Sequence, residues 1–407
     1  MSKNPEMKRA LVTLGGIVVA VSLPLAACAP GPALPVEQKA VEIACIATLT
    51  GPTATSGQIN TMAMQDYIDL FNEREGIPEV TVKLLWADSG LEIARFASAY
   101  RRFVQRGVPI YYSDDTINMW KLRPEIEKNE TPFLTWVGAS TVLVPPGWIF
   151  GFNPMFSETF TAVLDYFNDN WKEDRPPRVL FAGGENFLGR GAADECAPYV
   201  EQIGMEMLPF EMVPFVVLDA TPMLLRARET GADLVILGNT VPATGAILND
   251  ADRLGLTQTI QFAGAEFTLG QTLVDMVGPA LEGYIAPRTT PLYDDSDVPG
   301  IQMIIDAQIE RHGKVERQPE YINGWLGGAV MCEVLNRAID DVGLEELDGV
   351  AVKREYESLK DFDVDGIIKV TYGPERRRGT LMVSTYMVQG GEMVRVSDWR
   401  EVPILAR

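Results

Sequence analysis

A single histidine, His312, stands in a chain of 407 residues. It sits in the charged stretch ERHGKVER without a partner motif, so it reads as a solvated helix-end residue and not as a catalytic base. HExxH, CxxC and the P-loop ending GK[ST] are absent. GGENFLGRG has the glycines of a nucleotide loop without that ending. YDDSDVPG lacks the spacing and distal Glu of a calcium loop and reads as a solvated acidic turn. The chain is therefore expected to be no enzyme and to carry no cofactor and no metal. Positive charge is scarce: 35 Lys and Arg face 56 Asp and Glu, a formal net charge of −21. Such a chain does not track a nucleic-acid backbone, which needs clustered cations. Cysteine is scarce as well. Besides Cys28 there are Cys45, Cys196 and Cys332, each in an apolar or helical stretch. Three cannot all pair; they read as buried free thiols, with room for one disulfide that the sequence does not assign.

What is present begins with a separate N-terminal object. Basic MSKNPEMKR precedes the apolar run ALVTLGGIVVAVSLPLAA. A basic head, an apolar stretch and small residues before a cut site make residues 1–27 an export signal. The alternative is a membrane anchor, but Gly15, Gly16 and Pro24 suit a cleaved signal better than a spanning helix. Leu25-Ala26-Ala27-Cys28 resembles the bacterial lipobox, which implies lipid attachment at Cys28. Residues 28–36 open a Pro- and Ala-rich stretch and read as a tether. Each buried acyl CH₂ adds about 0.8 kcal/mol, so two or more chains anchor firmly. The expected location is extracytoplasmic, periplasmic or on the outer face of the cytoplasmic membrane, with the membrane touched only through this lipidated end.

Hydrophobic residues make up 46% of the chain, enough for packed cores and too many for a disordered one. Strand and helix patterns alternate. VEIACIAT (41–48), VTVKLLWA (80–87), VPIYY (108–112) and TPFLTWV (131–137) read as strands. Between them run helical patterns such as Ile93, Phe96, Ala97, Tyr100, Phe103 and Val104. A second series follows: a helix over 157–171, strands RVLFAGG (178–184), DLVILGN (233–239), TIQFAGA (259–265) and EGYIAPR (282–288), and a helix over 242–254. Residues 299–342 are mostly helical, and the chain ends in a hairpin turning at Gly390-Gly391. Such alternation predicts α/β lobes with parallel sheets covered on both faces. Small polar clusters fall at the carboxyl ends of the strands, where open α/β sheets take ligands: TGPTATSG, SDDT and GAST in the first series, GGENFLGRG, GNTVPATG and GAEFTLG in the second.

The order and spacing of LTGPTATSGQ, GLEIARFASAYRRFVQRGV, PGWIFGFNP, GADLVILGNTVPATGAILNDADRLGL, FAGAEF with LEGY, and YINGWLGGAVMCEVLNRAI resemble the periplasmic-binding proteins of ABC transporters, in the branched-chain amino acid and amide group. The resemblance covers nearly all of the chain after the tether. It implies the type I periplasmic-binding fold: two doubly wound parallel-sheet lobes joined by three crossovers, near 153–157, 285–291 and 341–348. Lobe 1 would be 37–154 plus 290–342 and lobe 2 157–285 plus 347–407. It also implies hinge closure on a ligand.

Site residues follow from the same resemblance. Ser56 matches a cleft residue of the first loop, with helix capping by Ser or Thr as the alternative. Ser113 matches a carboxylate-gripping position. If the neighbouring Asp114 faces the cleft, the ligand end it meets is neutral or cationic; Asp115 is expected to cap the next helix. Ala139, Ser140 and Thr141 match a loop that grips through backbone and hydroxyl. Glu266 matches the partner of a ligand ammonium, against the plain alternative of an exposed loop acid. Leu188 and Asn239 fall where amino-acid binders carry aromatic rings, so leucine-like specificity does not transfer. The expected function is a lipid-anchored, monomeric receptor that delivers a small polar solute, an amino acid, amide or urea-like compound, to an ABC permease. The alternatives are a sensor of the same fold coupled to a signalling partner and an extracytoplasmic enzyme.

Overall fold

The computed structural model describes residues 39–406 apart from 52, 137 and 296–297. The signal, Cys28 and the tether lie outside the described residues. The first sheet grows from strand–helix repeats: β1 (Lys39–Ala47), α1 (Ala54–Glu73), β2 (Val80–Asp88), α2 (Ile93–Gln105), β3 (Tyr111–Ser113), α3 (Thr116–Lys128), β4 (Phe133–Thr135), α4 (Ser140–Leu143) and β5 (Ile149–Gly151). Its order is β2-β1-β3-β4-β5, and every pairing is parallel. Helix α2 shows the logic plainly: Phe96, Ala97, Tyr100 and Phe103 recur at helical spacing and all are buried on one face of the sheet.

The second sheet repeats the scheme with α5 (Phe156–Asn170), β6 (Arg178–Gly183), a π-helical turn Phe187–Gly191, α6 (Ala192–Gln202), β7 (Glu206–Met207), β8 (Glu211–Met212), α7 (Thr221–Glu229), β9 (Leu234–Gly238), α8 (Val241–Arg253), β10 (Gln261–Gly264), a short 3₁₀ turn Glu266–Thr268, α9 (Gln271–Val277) and β11 (Ile285–Arg288). Every residue of β9, LVILG, is buried, as expected of a parallel strand covered on both faces. Then come α10 (Pro299–His312), α11 (Pro319–Val342), α12 (Gly349–Ser358), β12 (Phe362–Val364), β13 (Ile368–Val370), β14 (Met382–Gln389), β15 (Glu392–Arg395) and β16 (Arg400–Glu401). The terminal hairpin joins the second sheet antiparallel, β14 beside β11.

Residues 347–372, expected with the second sheet, pack in the first core. Ala351, Val352 and Tyr356 of α12, with Val364, Ile368 and Tyr372, join the cluster built on β1, α1 and α11. Phe150 of β5 stacks on Tyr356 at 4.4 Å between ring centres. The chain returns to the second sheet only at residues 377–380, well after the expected 341–348. There it runs beside the first passage: Gly151 N donates to Arg377 O at 2.8 Å and Thr380 N to Phe152 O at 2.9 Å. Arg378 also pairs with the fully buried Glu158 at 2.9 Å.

The three thiols, Cys45, Cys196 and Cys332, are buried and free. His312 is not simply solvated: its Nε2 lies 2.6 Å from Asp66 Oδ2, and the Tyr321 hydroxyl bonds the same carboxylate. Among the described residues no helix is long and apolar enough to cross a membrane.

Candidate ligand-binding cleft

The loop LTGPTATSG is held from below by two carboxylates at strand ends. Asp88, closing β2, accepts from Leu49 N (2.9 Å), Thr50 N (3.1 Å) and Thr50 Oγ1 (2.6 Å). Burial pushes its carboxyl up, but these bonds and one from Gly90 outweigh it and hold Asp88 below the usual carboxylate range. Asp114, after β3, accepts from Thr48 N at 3.0 Å and Thr48 Oγ1 at 2.9 Å. Here burial wins: the Asp114 carboxyl is pushed up to about 6, with Asp115 adding to the rise. Asp115 itself caps α3, accepting from Asn118 N at 3.1 Å. Gly51 turns the loop at φ 91°, and a side chain at Gly57 would collide with the Thr48 carbonyl.

The hydroxyls of this loop do not cap α1. Thr53, at the N-cap position, makes no side-chain cap bond. Ser56 donates instead to Glu320 Oε1 of α11 at 3.0 Å. Burial raises the Glu320 carboxyl, more than the Ser56 bond and the nearby Arg288 lower it.

Above this floor lies a cavity of about 290 Å³, lined from both sheets. The first side supplies Thr48, Ser56, Asn60, Asp114 and Trp136, joined by Glu320 and Asn323 of α11. The second supplies Phe156, Phe187, Leu188, Phe215, Val241 and Phe267. Local bonds place these rings. Asn186 accepts from Leu188 N (2.9 Å) and Gly189 N (3.0 Å), which winds the turn that presents Phe187 and Leu188. Asn239 donates to Pro214 O at 3.1 Å and so fixes the segment carrying Phe215. Trp136 meets Phe267 edge-on at 6.0 Å, Phe267 meets Phe156 at 6.3 Å, and Phe156 stacks on Phe187 at 6.1 Å. This is one aromatic chain running from the first sheet to the second.

Of the residues singled out by sequence, Ser56, Asp114 and Leu188 line the cavity. The others stand elsewhere. Ser113 is fully buried and donates to Ile46 O at 2.6 Å. Ala139 opens the short α4, Ser140 donates to Glu195 of α6, and the Thr141 carbonyl meets Arg123 at 3.4 Å. Asn239 lies beneath the wall, where Thr240 and Val241 face the cavity. Glu266 is buried and is not among the described lining residues; its Oε1 accepts from Thr289 Oγ1 at 2.6 Å, and its Oε2 has no partner among the described residues. The second side is more aromatic than the sequence match suggested. A signal was available: TW, NF, PF and EF each place one ring just past the end of β4, β6, β8 and β10.

A cavity at the strand ends of two doubly wound parallel sheets is the architecture of a solute receptor, and the family model for periplasmic binding proteins matches residues 40–392. The chain belongs to the periplasmic binding protein family. That family is one of solute-binding proteins, not enzymes, and its extracytoplasmic setting and type I fold apply to this chain. Among its relatives, the Leu/Ile/Val-binding protein homolog 2 of Brucella abortus is 23% identical over 265 residues, covering 60% of this chain and 67% of that protein. Among solved periplasmic binding proteins, a branched chain amino acid ABC transporter protein from Thermus thermophilus with bound valine superposes with a TM-score of 0.81 at 23% identity, covering 89% of this chain and 97% of that one. A fatty acid ABC transporter substrate-binding protein from Thermomonospora curvata gives 0.78 at 16% identity, covering 91% and 96%.

Proposed function

We propose that this chain is the solute receptor of an ABC importer, closing two lobes on a solute and presenting the closed form to a membrane permease. The observation that carries this reading is the cavity itself: both sheets line it, so one bound molecule bridges both halves and favours the closed arrangement. The hinge is assigned to the passages at 152–156, 288–295 and 373–381, with lobe 1 reaching to about residue 372. Lipid attachment at Cys28, which the lipobox-like Leu25-Ala26-Ala27-Cys28 and the Pro-rich spacer support, would tether the receptor beside its permease. The relatives named for valine, for Leu/Ile/Val and for fatty acids share a solute with an apolar body. The apolar rings of the second side suit such a body better than they suit urea or a simple amide.

The test joins binding to transport. A thermal-shift panel of amino acids, amides, amines and carboxylates should yield a stabilising solute; at 100 times its Kd the gain is about 2.7 kcal/mol. Deleting the gene should then abolish uptake of that solute. Binding with uptake unchanged would move the reading to a ligand sensor.

A further inference from the structure

Resting on the receptor reading, we propose that the cleft is built for an organic cation with an apolar or aromatic body, a hydrophobic amine in its ammonium form, in preference to a zwitterionic amino acid or a carboxylate. A carboxylate ligand needs N–H and O–H groups on the first side. The Thr48 N–H and hydroxyl are both held by Asp114, and the Ser56 hydroxyl by Glu320. The loop that would grip a carboxylate is thus occupied by the protein's own carboxylates. What it leaves to a ligand is acceptor capacity and one hydroxyl, that of Thr53, which has no partner among the described residues.

Charge points the same way. Asp114 and Glu320 line the cavity, and among the described lining residues there is no Lys, Arg or His. The cation that acts on Glu320, Arg288, is fully buried and is not among the described lining residues; it bonds Thr290 at 2.8 Å, its Nε and Nη1 have no partner among the described residues, and Glu266 acts on the same carboxylate. Among the described residues, Asp114 and Glu320 in the lining, with Glu266 acting on Glu320, stand against the one guanidinium of Arg288. The free N–H groups in the first turn of α1, the Thr53 hydroxyl and the unpartnered donors of Arg288 favour an anion, and they meet this acidic surplus. Asn60 and Asn323, both more than nine-tenths buried, add amide oxygens without partners among the described residues. An unpartnered acceptor is costly, and an ammonium N–H is the group that relieves it.

The rings complete the site. Trp136, Phe267, Phe156 and Phe187 form a continuous chain, and Phe215 lines the same side. Ring faces attract organic cations, most strongly where water is excluded. A dry cavity of about 150 Å³ admits benzene. At about 290 Å³ this one has room for an aryl-alkyl body as well as its charged end.

The test is isothermal titration of the full chain with three probes that share one ring: phenethylamine, phenylalanine and 3-phenylpropionate. Phenethylamine should bind at least tenfold tighter than phenylalanine, and 3-phenylpropionate should give no heat. Asp114→Asn and, separately, Glu320→Gln should each weaken phenethylamine at least tenfold while circular dichroism stays unchanged. Should one variant fail to fold, the three-probe comparison on the wild-type chain still decides. Phenylalanine or 3-phenylpropionate bound as tightly as the amine would overturn the cation preference and leave the receptor reading standing. Heat from none of the three overturns the proposal too, and the receptor reading then rests on the uptake experiment alone.

Discussion

The two sides of the cleft are made differently. Both acids that line it, Asp114 and Glu320, come from the first side, and four of its five rings, Phe156, Phe187, Phe215 and Phe267, come from the second. The first side is a hydrogen-bonded lattice: Asp88 and Asp114 hold a loop whose short side chains were chosen for bonding. The second is rings set by bonds that lie behind them, from Asn186 and Asn239. A polar lattice fixes one end of a ligand by direction; a ring surface accepts a body by area. In the proposed receptor this division gives recognition of charge to one half and of bulk to the other, and closure would let a single molecule feel both.

The largest expected effect comes from the joint between the halves. Glu158 is fully buried and pairs with Arg378 at 2.9 Å where the first and third passages run side by side. Arg378→Met leaves that carboxylate without its cation, which costs about 3–5 kcal/mol of stability. Urea denaturation should show it, and adding Glu158→Gln to Arg378→Met should restore much of the loss. An unchanged midpoint in the single variant would show that the joint is not held electrostatically.

Next is Gly57→Ala, which attacks the polar side alone. A methyl there collides with the Thr48 carbonyl, so α1 or the loop has to shift. Such overpacking costs about 1–3 kcal/mol. The same shift should loosen the Thr48–Asp114 bonds and weaken solute binding, with the rings opposite untouched. Stability and affinity both at wild-type level would mean that the loop is softer than its bonds suggest.

Much of this division could be read from the sequence, and the reasons for the exceptions are physical. Periodicity placed the strands, helices and closing hairpin, because a buried parallel strand such as LVILG has few other readings. The strand-end loops followed from the rule for open α/β sheets. What a loop residue faces did not follow. Asn239 and Ser113 sit at suitable positions, yet their side chains fold onto backbone carbonyls, a choice that spacing does not encode. Glu266 was expected to face a ligand; its Oε1 is held by Thr289, and it is the neighbouring Phe267 that lines the cavity. Nor does an amphipathic helix such as α12 announce which of two similar cores it joins; Tyr356 settles that only by stacking on Phe150.

A smaller effect is the pH dependence contributed by Asp114. Its folded pKa, about 6, lies above the ordinary 3.8 because burial disfavours the charge, with Asp115 close by and Thr48 opposing. Between these values the folded state holds the proton more tightly than the unfolded one. The contribution is therefore fully present below pH 3.8 and is lost as pH rises through about 6. Allowing for partial exposure, the loss is about 1–2 kcal/mol. Asp114→Asn should remove it, so the variant should gain on the wild type over that window in pH-dependent urea melts. Parallel curves would place the charge outside the buried lattice.

The smallest change in stability carries the sharpest contrast in binding. Ser56 and Ser140 both sit at the start of helices beside strand ends, and by sequence both were candidates to touch a solute. Ser56 lines the cavity, whereas Ser140 reaches away to Glu195 on the second sheet's α6. Each loses one partly exposed bond to a carboxylate on replacement, about 1 kcal/mol or somewhat more. Ser56→Leu also fills the acceptor-rich end of the cavity, so it should abolish binding of whichever solute the panel identifies. Ser140→Leu leaves the cavity free and should keep affinity within about threefold, the span of roughly 0.6 kcal/mol. Titration of both variants decides. Equal loss in the two would mean that the Ser140–Glu195 contact belongs to the closed form and that the halves cannot grip a solute without it; loss in Ser140→Leu alone would move the site off the first loop entirely.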